Sequence, residues 1–293
     1  MSAIHETSRQ RTYAGIAIAL AAAAAFALAN TSANVAYHGG SNALTVAGTR
    51  FLLPTLALIV WLRVSGVPLA LPVRDAVIAI ALGIMTAFYT WALLRSFSAI
   101  PFALAVLIFY LFPLIAALIV VGLGWEKFAW RTLAAILVAF VGHALALDLR
   151  GGHLQTEGVV LAFVAAAGLA VVVAVSSRMF GTGDARPLTL YMAAAAAVAL
   201  LIVCAASGDF AWPQTSAGWI GFAVAGALYA FAMIAFFIAI SMIGPVRASL
   251  LSYADAVISA ILGVVVLGQA LSLVQAAGIA LVIAALIWAT LRR

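Results

Sequence analysis

Long apolar runs separated by short polar breaks are the feature that most limits what this sequence can fold into. Ten such runs follow one another along 293 residues, and each is close to the roughly 20 residues that a helix needs to cross the hydrocarbon core of a bilayer. Because only 8% of the residues are charged and 68% are apolar, a soluble fold would have too few polar groups to cover its surface. We therefore expect an all-α integral membrane protein surrounded by the lipid bilayer.

The breaks between the runs leave little sequence for a soluble domain, since none is long enough to fold alone. The predicted membrane spans are residues 13–36, 44–64, 76–97, 101–121, 129–148, 158–180, 187–207, 217–241, 245–267 and 272–291.

The basic residues predict how the chain is oriented. If the amino terminus lies in the cytoplasm, eleven of the fourteen lysines and arginines lie on or near the inner side, as the positive-inside rule requires. The exceptions are Arg50, Arg95 and Arg150. Both termini are thus predicted to be cytoplasmic, and the net charge of +6 is explained by topology rather than by binding to nucleic acid.

The two halves of the chain look like duplicates. When the sequence is compared with itself, residues of the first half align with similar residues 143 positions later. The pairs that show this are Gly15 with Gly158, Ile100 with Ile243, Tyr110 with Tyr253 and Glu126 with Gln269. Five spans per half is an odd number, so the second copy enters the membrane with the opposite orientation. Inverted repeats are typical of carriers that bind substrate near the midplane and work by alternating access.

The end of the first half carries a family resemblance. A helix break, Tyr-x-x-Pro from Tyr110 to Pro113, an apolar run and then Glu126 resemble the EamA domain of the drug/metabolite transporter superfamily. The resemblance covers both halves, as five-helix repeats over residues 13–148 and 158–291. The second half departs from the pattern, because it has Asp255-Ala256 where Tyr-x-x-Pro would continue and Gln269 in place of the acid.

Within that superfamily the chain is most similar to bacterial amino-acid and metabolite exporters, including exporters of aromatic amino acids. This resemblance implies ten helices in two inverted repeats around a central cavity, in the bacterial inner membrane. The implied activity is export of amino acids or related metabolites, and the implied partner is a small-molecule substrate. An uptake permease or a channel for another solute, such as a nucleoside or a sugar, remains an alternative. Whether the protein is a monomer or a homodimer is left open.

Asp255 is the acid that lies deepest in a predicted span. It follows Pro245 by ten residues, or about 15 Å along a helix, which places it near the bilayer midplane. An ionised carboxylate there is costly unless it is paired, hydrated or protonated. Asp255 is therefore predicted either to face the cavity, where it receives a substrate ammonium or exchanges a proton, or to be a buried anchor bonded to Ser252 or Ser259.

An aromatic lining is the second predicted feature of the substrate site. The equivalent residues Tyr110 and Tyr253 are expected on opposite sides of one cavity, where they would sandwich a flat ligand. The other predicted substrate-binding residues are Asn34, Tyr89, Trp91, Phe109, Tyr229 and Phe237. For each aromatic residue the alternative is ordinary packing, and for Asn34 it is a hydrogen bond between helices.

Two further polar residues lie within predicted spans. Arg50 is expected to extend its side chain to the membrane interface, with carboxylate binding as the alternative. His143 is expected to be hydrogen-bonded within the structure rather than to relay protons.

Other function classes fit the residues less well. An intramembrane aspartyl protease needs two deep aspartates, and Asp255 is the single one. His143 alone supplies neither a nucleophile with its base nor a cluster of metal ligands. We therefore predict no enzymatic activity, no metal site and no cofactor.

Overall fold

The computed structural model describes residues 2–127, 129–147, 155–181, 183–267 and 272–291. Within these ranges the chain is entirely helical, without a β-strand. The helices are α1 (Ser2–His38), α2 (Ala43–Arg50), α3 (Leu52–Val64), α4 (Val73–Ser96), α5 (Phe102–Phe109), α6 (Phe112–Gly122), α7 (Trp130–Ala146), α8 (Thr156–Phe180), α9 (Ala185–Ser207), α10 (Ser216–Ile243), α11 (Pro245–Leu251), α12 (Ala254–Leu267) and α13 (Leu273–Leu291). Gln269, Arg150 and the predicted boundary at residue 148 lie outside the described residues.

The chain is a multi-pass membrane protein. Eight segments of the described chain are long and apolar enough to cross a bilayer. They are Gln10–His38, Ala43–Val64, Val73–Ser96, Phe102–Gly122, Thr156–Phe180, Ala185–Ser207, Ser216–Ile243 and Pro245–Leu262. Two shorter apolar helices, Trp130–Ala146 and Leu273–Ala289, lie where the fifth and tenth spans are predicted. The count of ten spans stays a prediction.

Three of the spanning segments are broken into two helices. The breaks lie at Phe51, at Tyr110 and Leu111, and at Ser252 and Tyr253. Pro113, which lies inside the predicted span of residues 101–121, stands in the first turn of α6, where a missing backbone N–H costs no helical hydrogen bond. Breaks within a membrane expose carbonyl groups that need partners, and they attract the polar side chains described below.

The helix starts carry the internal repeat. Equivalent helices begin 143 residues apart, which is also the separation of Tyr110 and Tyr253. The pairs of starts are Val73 and Ser216, Phe102 and Pro245, and Trp130 and Leu273. A duplication of one five-segment unit accounts for this agreement across residues whose identities have diverged.

The two halves pack reciprocally. Helix α1 packs along α10, and their counterparts α8 and α4 pack along each other in the same way. Gly15 lies against Ile243, and the equivalent Gly158 lies against Ile100. Reciprocal contacts of this kind relate the halves by an approximate twofold axis.

The equivalent helices α7 and α13 meet through glycines. A Cβ atom added at Gly142 would lie 2.8 Å from the carbonyl oxygen of Gly278, well inside van der Waals contact. Small residues let two helix backbones approach in a membrane, where dispersion contacts replace the hydrophobic driving force. Gly142 therefore sets how closely the two halves pack at this position.

Candidate functional site

Asp255 lies at the start of α12, just after the break that follows α11. The Tyr110 hydroxyl donates a hydrogen bond of 2.6 Å to its Oδ2 atom. The Ser259 hydroxyl, one helical turn further along α12, donates one of 3.1 Å to Oδ1. Both carboxylate oxygens of Asp255 thus accept hydrogen bonds, as the anchor alternative expects, and its role at the cavity stays a prediction. Ser259 is one of the two partners expected, and the stronger contact comes from the other half of the chain.

Tyr110 and Tyr253 come together as the repeat predicts, but they do not leave room for a ligand. Their ring centroids are 5.4 Å apart, whereas a flat molecule between two rings needs about twice the usual 3.5 Å contact distance. The predicted sandwich is wrong for this conformation. The reason is a hydrogen bond of 2.6 Å from the Tyr253 hydroxyl to the carbonyl oxygen of Tyr110, which the break after α5 leaves without a helical partner.

His143 of α7 lies against the same pair of tyrosines. Its ring centroid is 4.3 Å from that of Tyr110 and 5.8 Å from that of Tyr253, and the side chain is 2% exposed. Within the described residues neither ring nitrogen has a hydrogen-bond partner, so the predicted hydrogen-bonded role is wrong. We call Tyr110, His143, Tyr253, Asp255 and Ser259 the inter-repeat cluster, because both halves contribute to it.

Two predicted aromatic residues extend this cluster through the first half. Phe109 contacts Tyr110 edge to face, with centroids 6.2 Å apart, and Tyr89 of α4 lies 6.2 Å from Phe109 on the other side. Aromatic neighbours at these separations are within the attractive range for ring pairs. Phe109 and Tyr89 thus form a continuous row of rings that ends at Asp255.

Tyr229 belongs to a second aromatic group, at the middle of α10. Phe26 and Phe51 both contact its ring edge to face, with centroids 5.6 and 5.3 Å away. The guanidinium carbon of Arg50 lies 4.3 Å from the Tyr229 ring centroid and 5.4 Å from that of Phe51. We call Phe26, Arg50, Phe51 and Tyr229 the Arg50 group.

The position of Arg50 contradicts the expected extension to the membrane interface. Tyr229 is midway along a 28-residue helix, and the Nε atom of Arg50 is buried without a hydrogen-bond partner among the described residues. An arginine at the centre of a span costs about 2.5–3.5 kcal/mol on insertion scales, and a cation–π contact returns only about 0.5–2 kcal/mol. Water or an anion must supply the difference.

Three predicted residues lie apart from both groups. Phe237 is buried between Phe180 and Phe236, at centroid distances of 6.1 and 5.8 Å, in an arrangement typical of core packing. Trp91 is 38% exposed and stacks on Phe88, which is 46% exposed. Asn34 is exposed and bonds weakly to the Asn30 carbonyl of its own helix, at 3.5 Å.

A cavity of about 350 Å³ opens between the two halves at the end of the bundle that contains Glu126. Its lining comes from the first half (Ala117, Leu118, Val121, Glu126, Lys127, Ala129, Thr132, Leu133) and from the second (Ile243, Val246, Arg247). Burial raises the pKa of the Glu126 carboxyl, and the charge of Arg247 opposes that shift. None of the predicted substrate-binding residues lines this cavity.

The opposite end of the bundle is tied together by hydrogen bonds between loops. The Asn42 side chain donates to Asp209 at 2.9 Å, and the Ser41 hydroxyl donates to the Ala211 carbonyl at 2.8 Å. The Gly39 carbonyl accepts a backbone bond of 2.7 Å from Gln214. The described structure therefore has a cavity at one end and a stapled loop pair at the other.

Among the described residues no group of three or more His, Cys, Asp or Glu side chains converges in a way that could hold a metal ion. Of the chemically active positions, sequence reasoning singled out Asp255 and its two tyrosines, but it missed the contribution of Arg50 to an aromatic group. The signal that was available for Arg50 is its place seven residues into an apolar run.

Comparisons with known proteins agree with this architecture. A family model described as the EamA-like transporter family matches residues 13–147 and again residues 156–291. A solved crystal structure, described only as that of a protein, is 23% identical and covers 98% of this chain and 97% of its own, with a TM-score of 0.77. At that identity the likeness concerns the fold. A comparison with curated proteins gives no significant match.

Proposed function

Because this chain belongs to the EamA-like transporter family, we propose that it carries amino acids or related small metabolites out of the cell by alternating access. Its preferred substrates are aromatic or bulky apolar ones. In this proposal the protein spans the bacterial inner membrane ten times, as two inverted five-helix repeats over residues 13–148 and 158–291, with both termini in the cytoplasm.

The observation that carries the proposal is the inter-repeat cluster. It joins the two halves at equivalent positions through Tyr110, Tyr253 and Asp255, inside a largely apolar bundle. Polar and ionisable groups within membrane spans are costly, and they usually mark a substrate or ion path. The row of rings from Tyr110 to Tyr89 provides an aromatic surface beside this polar centre.

Asp255 is proposed to couple transport to proton movement. Its bond to Tyr110 links the repeats, and rocking of one repeat against the other has to lengthen or break that bond. Protonation of the carboxylate removes the charge that strengthens the bond. Gain of a proton at Asp255 then favours an arrangement in which the two halves separate at this bond. Loss of the proton favours the arrangement in which the bond joins them.

The cavity at the Glu126 end supports the direction of access. Ala117, in its lining, follows Tyr110 by seven residues, or about 10 Å along the chain. By the positive-inside rule this end is the cytoplasmic one. We propose that the structure is an inward-facing state, in which a cytoplasmic substrate enters through the cavity toward the inter-repeat cluster. The hydrogen bonds between the loops at residues 39–42 and 209–214 close the outer end.

An uptake permease or a channel for another small solute, such as a nucleoside or a sugar, is the alternative function. The fold alone does not set direction or substrate. A channel, unlike a carrier, does not need the two repeats to exchange contacts.

Reconstituted protein tests the proposal. Uptake of radiolabelled phenylalanine, tryptophan, threonine and a nucleoside is measured in liposomes, with and without a pH gradient, for the natural protein and for Asp255→Asn. The proposal expects saturable flux of the two aromatic amino acids, with a dependence on the pH gradient that Asp255→Asn loses. Nucleoside flux without amino-acid flux would refute it.

A further inference from the structure

Arg50 is the last residue of α2, at the break in the second spanning segment. Its cation is held by rings rather than by acids: the contacts are with Tyr229 and Phe51. Helix α10 thus turns the ring of Tyr229 toward the guanidinium, 4.3 Å from its carbon atom.

The guanidinium is accessible and has no partner within the described residues. Neither an ion pair nor a hydrogen bond to Arg50 is present there, and Nε is the only one of its nitrogens that is fully buried. The two terminal nitrogens therefore retain accessible surface. They lie beside Tyr229, at the middle of α10, rather than at a helix end.

Asp255 does not neutralise this cation. Its two oxygens accept hydrogen bonds from Tyr110 and Ser259, and neither bond involves Arg50. The α2 carboxyl end, where the helix dipole favours a positive charge, stabilises Arg50 only in part. An unbalanced cation is left beside an aromatic wall.

We propose that Arg50 binds the carboxylate of a substrate that carries a single carboxylate, and that the aromatic or bulky apolar body of this substrate packs beside Tyr229. A guanidinium presents paired N–H donors that match a carboxylate. A single cation balances one negative charge, whereas a phosphate dianion would leave a second charge uncompensated in a low-dielectric site. The inference that the ligand has an aromatic or bulky apolar body depends on the proposed function. The inference that the ligand has a carboxylate depends on Arg50 alone.

At the Arg50 group an amino acid is recognised by its carboxylate rather than by its ammonium group. Because Asp255 is engaged within the inter-repeat cluster, the substrate ammonium has no dedicated acid at the Arg50 group. A deaminated analogue that keeps the carboxylate should bind, and an analogue that lacks the carboxylate should not.

Competition against radiolabelled phenylalanine, bound to purified protein in detergent, tests the inference. The competitors are phenylalanine, 3-phenylpropionate, which lacks the ammonium, and phenylalaninamide, which lacks the carboxylate. If labelled phenylalanine does not bind, direct calorimetric binding of 3-phenylpropionate replaces it. We expect 3-phenylpropionate to compete and phenylalaninamide to be weaker by about tenfold to a hundredfold, the loss of a charge-assisted hydrogen bond.

The variants Arg50→Gln and Arg50→Lys identify the residue responsible. Arg50→Gln is expected to weaken the binding of phenylalanine and of 3-phenylpropionate by the same factor of about tenfold to a hundredfold, and to change the binding of phenylalaninamide little. Arg50→Lys keeps the charge and is expected to recover part of the lost affinity. Arg95→Gln is the matched control, because Arg95 is an exposed arginine in the last turn of α4. Each variant is first shown to elute as the natural protein does on gel filtration.

The outcomes separate this inference from the proposed function. Phenylalanine binding that is unchanged by Arg50→Gln overturns the role of Arg50 and leaves the amino-acid proposal standing. Binding of 3-phenylpropionate that depends on Arg50, without phenylalanine binding or flux, supports the inference and refutes the amino-acid proposal. Absence of binding by either carboxylate overturns the inference.

Discussion

The bond between Tyr110 and Asp255 offers the sharpest quantitative test of how the two repeats are held together. The perturbation is a double-mutant cycle made of Tyr110→Phe, Asp255→Asn and the combined variant. Tyr110→Phe removes only the hydroxyl that donates to Asp255 at 2.6 Å, and it keeps the ring contacts with His143 and Tyr253. Asp255→Asn keeps the size of the side chain and removes its charge.

The magnitude follows from the geometry. Hydrogen bonds between membrane helices average about 0.6 kcal/mol and reach about 1.7 kcal/mol, and bonds to charged groups are the stronger ones, at about 1.5–3 kcal/mol. The short distance and the carboxylate acceptor place this bond at the upper end of the membrane range. We expect a coupling energy of about 1–2 kcal/mol.

The assay is reversible unfolding of the purified protein in mixed micelles at increasing SDS, followed by circular dichroism. Tyr191→Phe combined with Asp255→Asn is the control cycle, because Tyr191 is a partly buried tyrosine of α9 without a hydrogen bond to Asp255. Distant residues are additive within about 0.3–0.5 kcal/mol. If the Tyr110 cycle is as additive as the Tyr191 cycle, the bond does not hold the repeats together.

Three further predictions concern stability in detergent, measured as the melting temperature. The buried ring nitrogens of His143 have no hydrogen-bond partner in the part of the chain that the structure describes. His143→Phe should therefore leave the melting temperature unchanged or raise it, since an apolar ring removes the unsatisfied groups. A clear decrease would show a missed polar role. Gly142→Ala should lower the free energy of unfolding by about 1–3 kcal/mol, and with it the melting temperature, because the added methyl group overpacks the helix contact. Gly122→Ala should be neutral, because the space around Gly122 is open. Equal effects of the two substitutions would contradict the close packing at Gly142. Hydrogen bonds and the charge of Arg186 hold the pKa of the Asp184 carboxyl below its usual value. The stabilisation from this contact is therefore present above about pH 4 and lost as the pH falls through the folded-state pKa. Asp184→Asn should cost under about 1 kcal/mol at pH 7, and the difference from the natural protein should shrink as the pH falls below about 4. A difference that does not shrink with falling pH would contradict this.

The two-repeat arrangement of the helices could be predicted from the sequence because the repeat is preserved in the spacing of equivalent positions, even though the residues at those positions differ. A shift of 143 residues relates the starts of equivalent helices and brings Tyr110 to Tyr253. The bond between Ser259 and Asp255 followed from the spacing of one helical turn, which depends on backbone geometry alone.

The directions of side chains were not predictable in the same way. A spanning helix is apolar all round, so hydropathy does not show which face meets lipid and which meets protein. Trp91 and Tyr89 are two residues apart on α4, yet Trp91 is exposed and Tyr89 belongs to the row of rings at the inter-repeat cluster. The breaks at Phe51 and Tyr253 were also missed, because neither contains a proline.

Arg50 shows a second reason for failure. Extension to the interface is the usual solution for an arginine in a span, and only the ring of Tyr229, 179 positions away in the chain, makes another position favourable. Contacts of this kind depend on the tertiary fold, which a pattern within one helix does not contain.

Counterflow tests the central claim, alternating access by a carrier of aromatic amino acids, most directly. Liposomes containing the protein are loaded with unlabelled phenylalanine and diluted into trace labelled phenylalanine without a pH gradient. The account predicts a transient accumulation of label above equilibrium, because each return of the site brings in a labelled molecule. Label that rises only to equilibrium, as through a channel, or that does not enter at all, would contradict it.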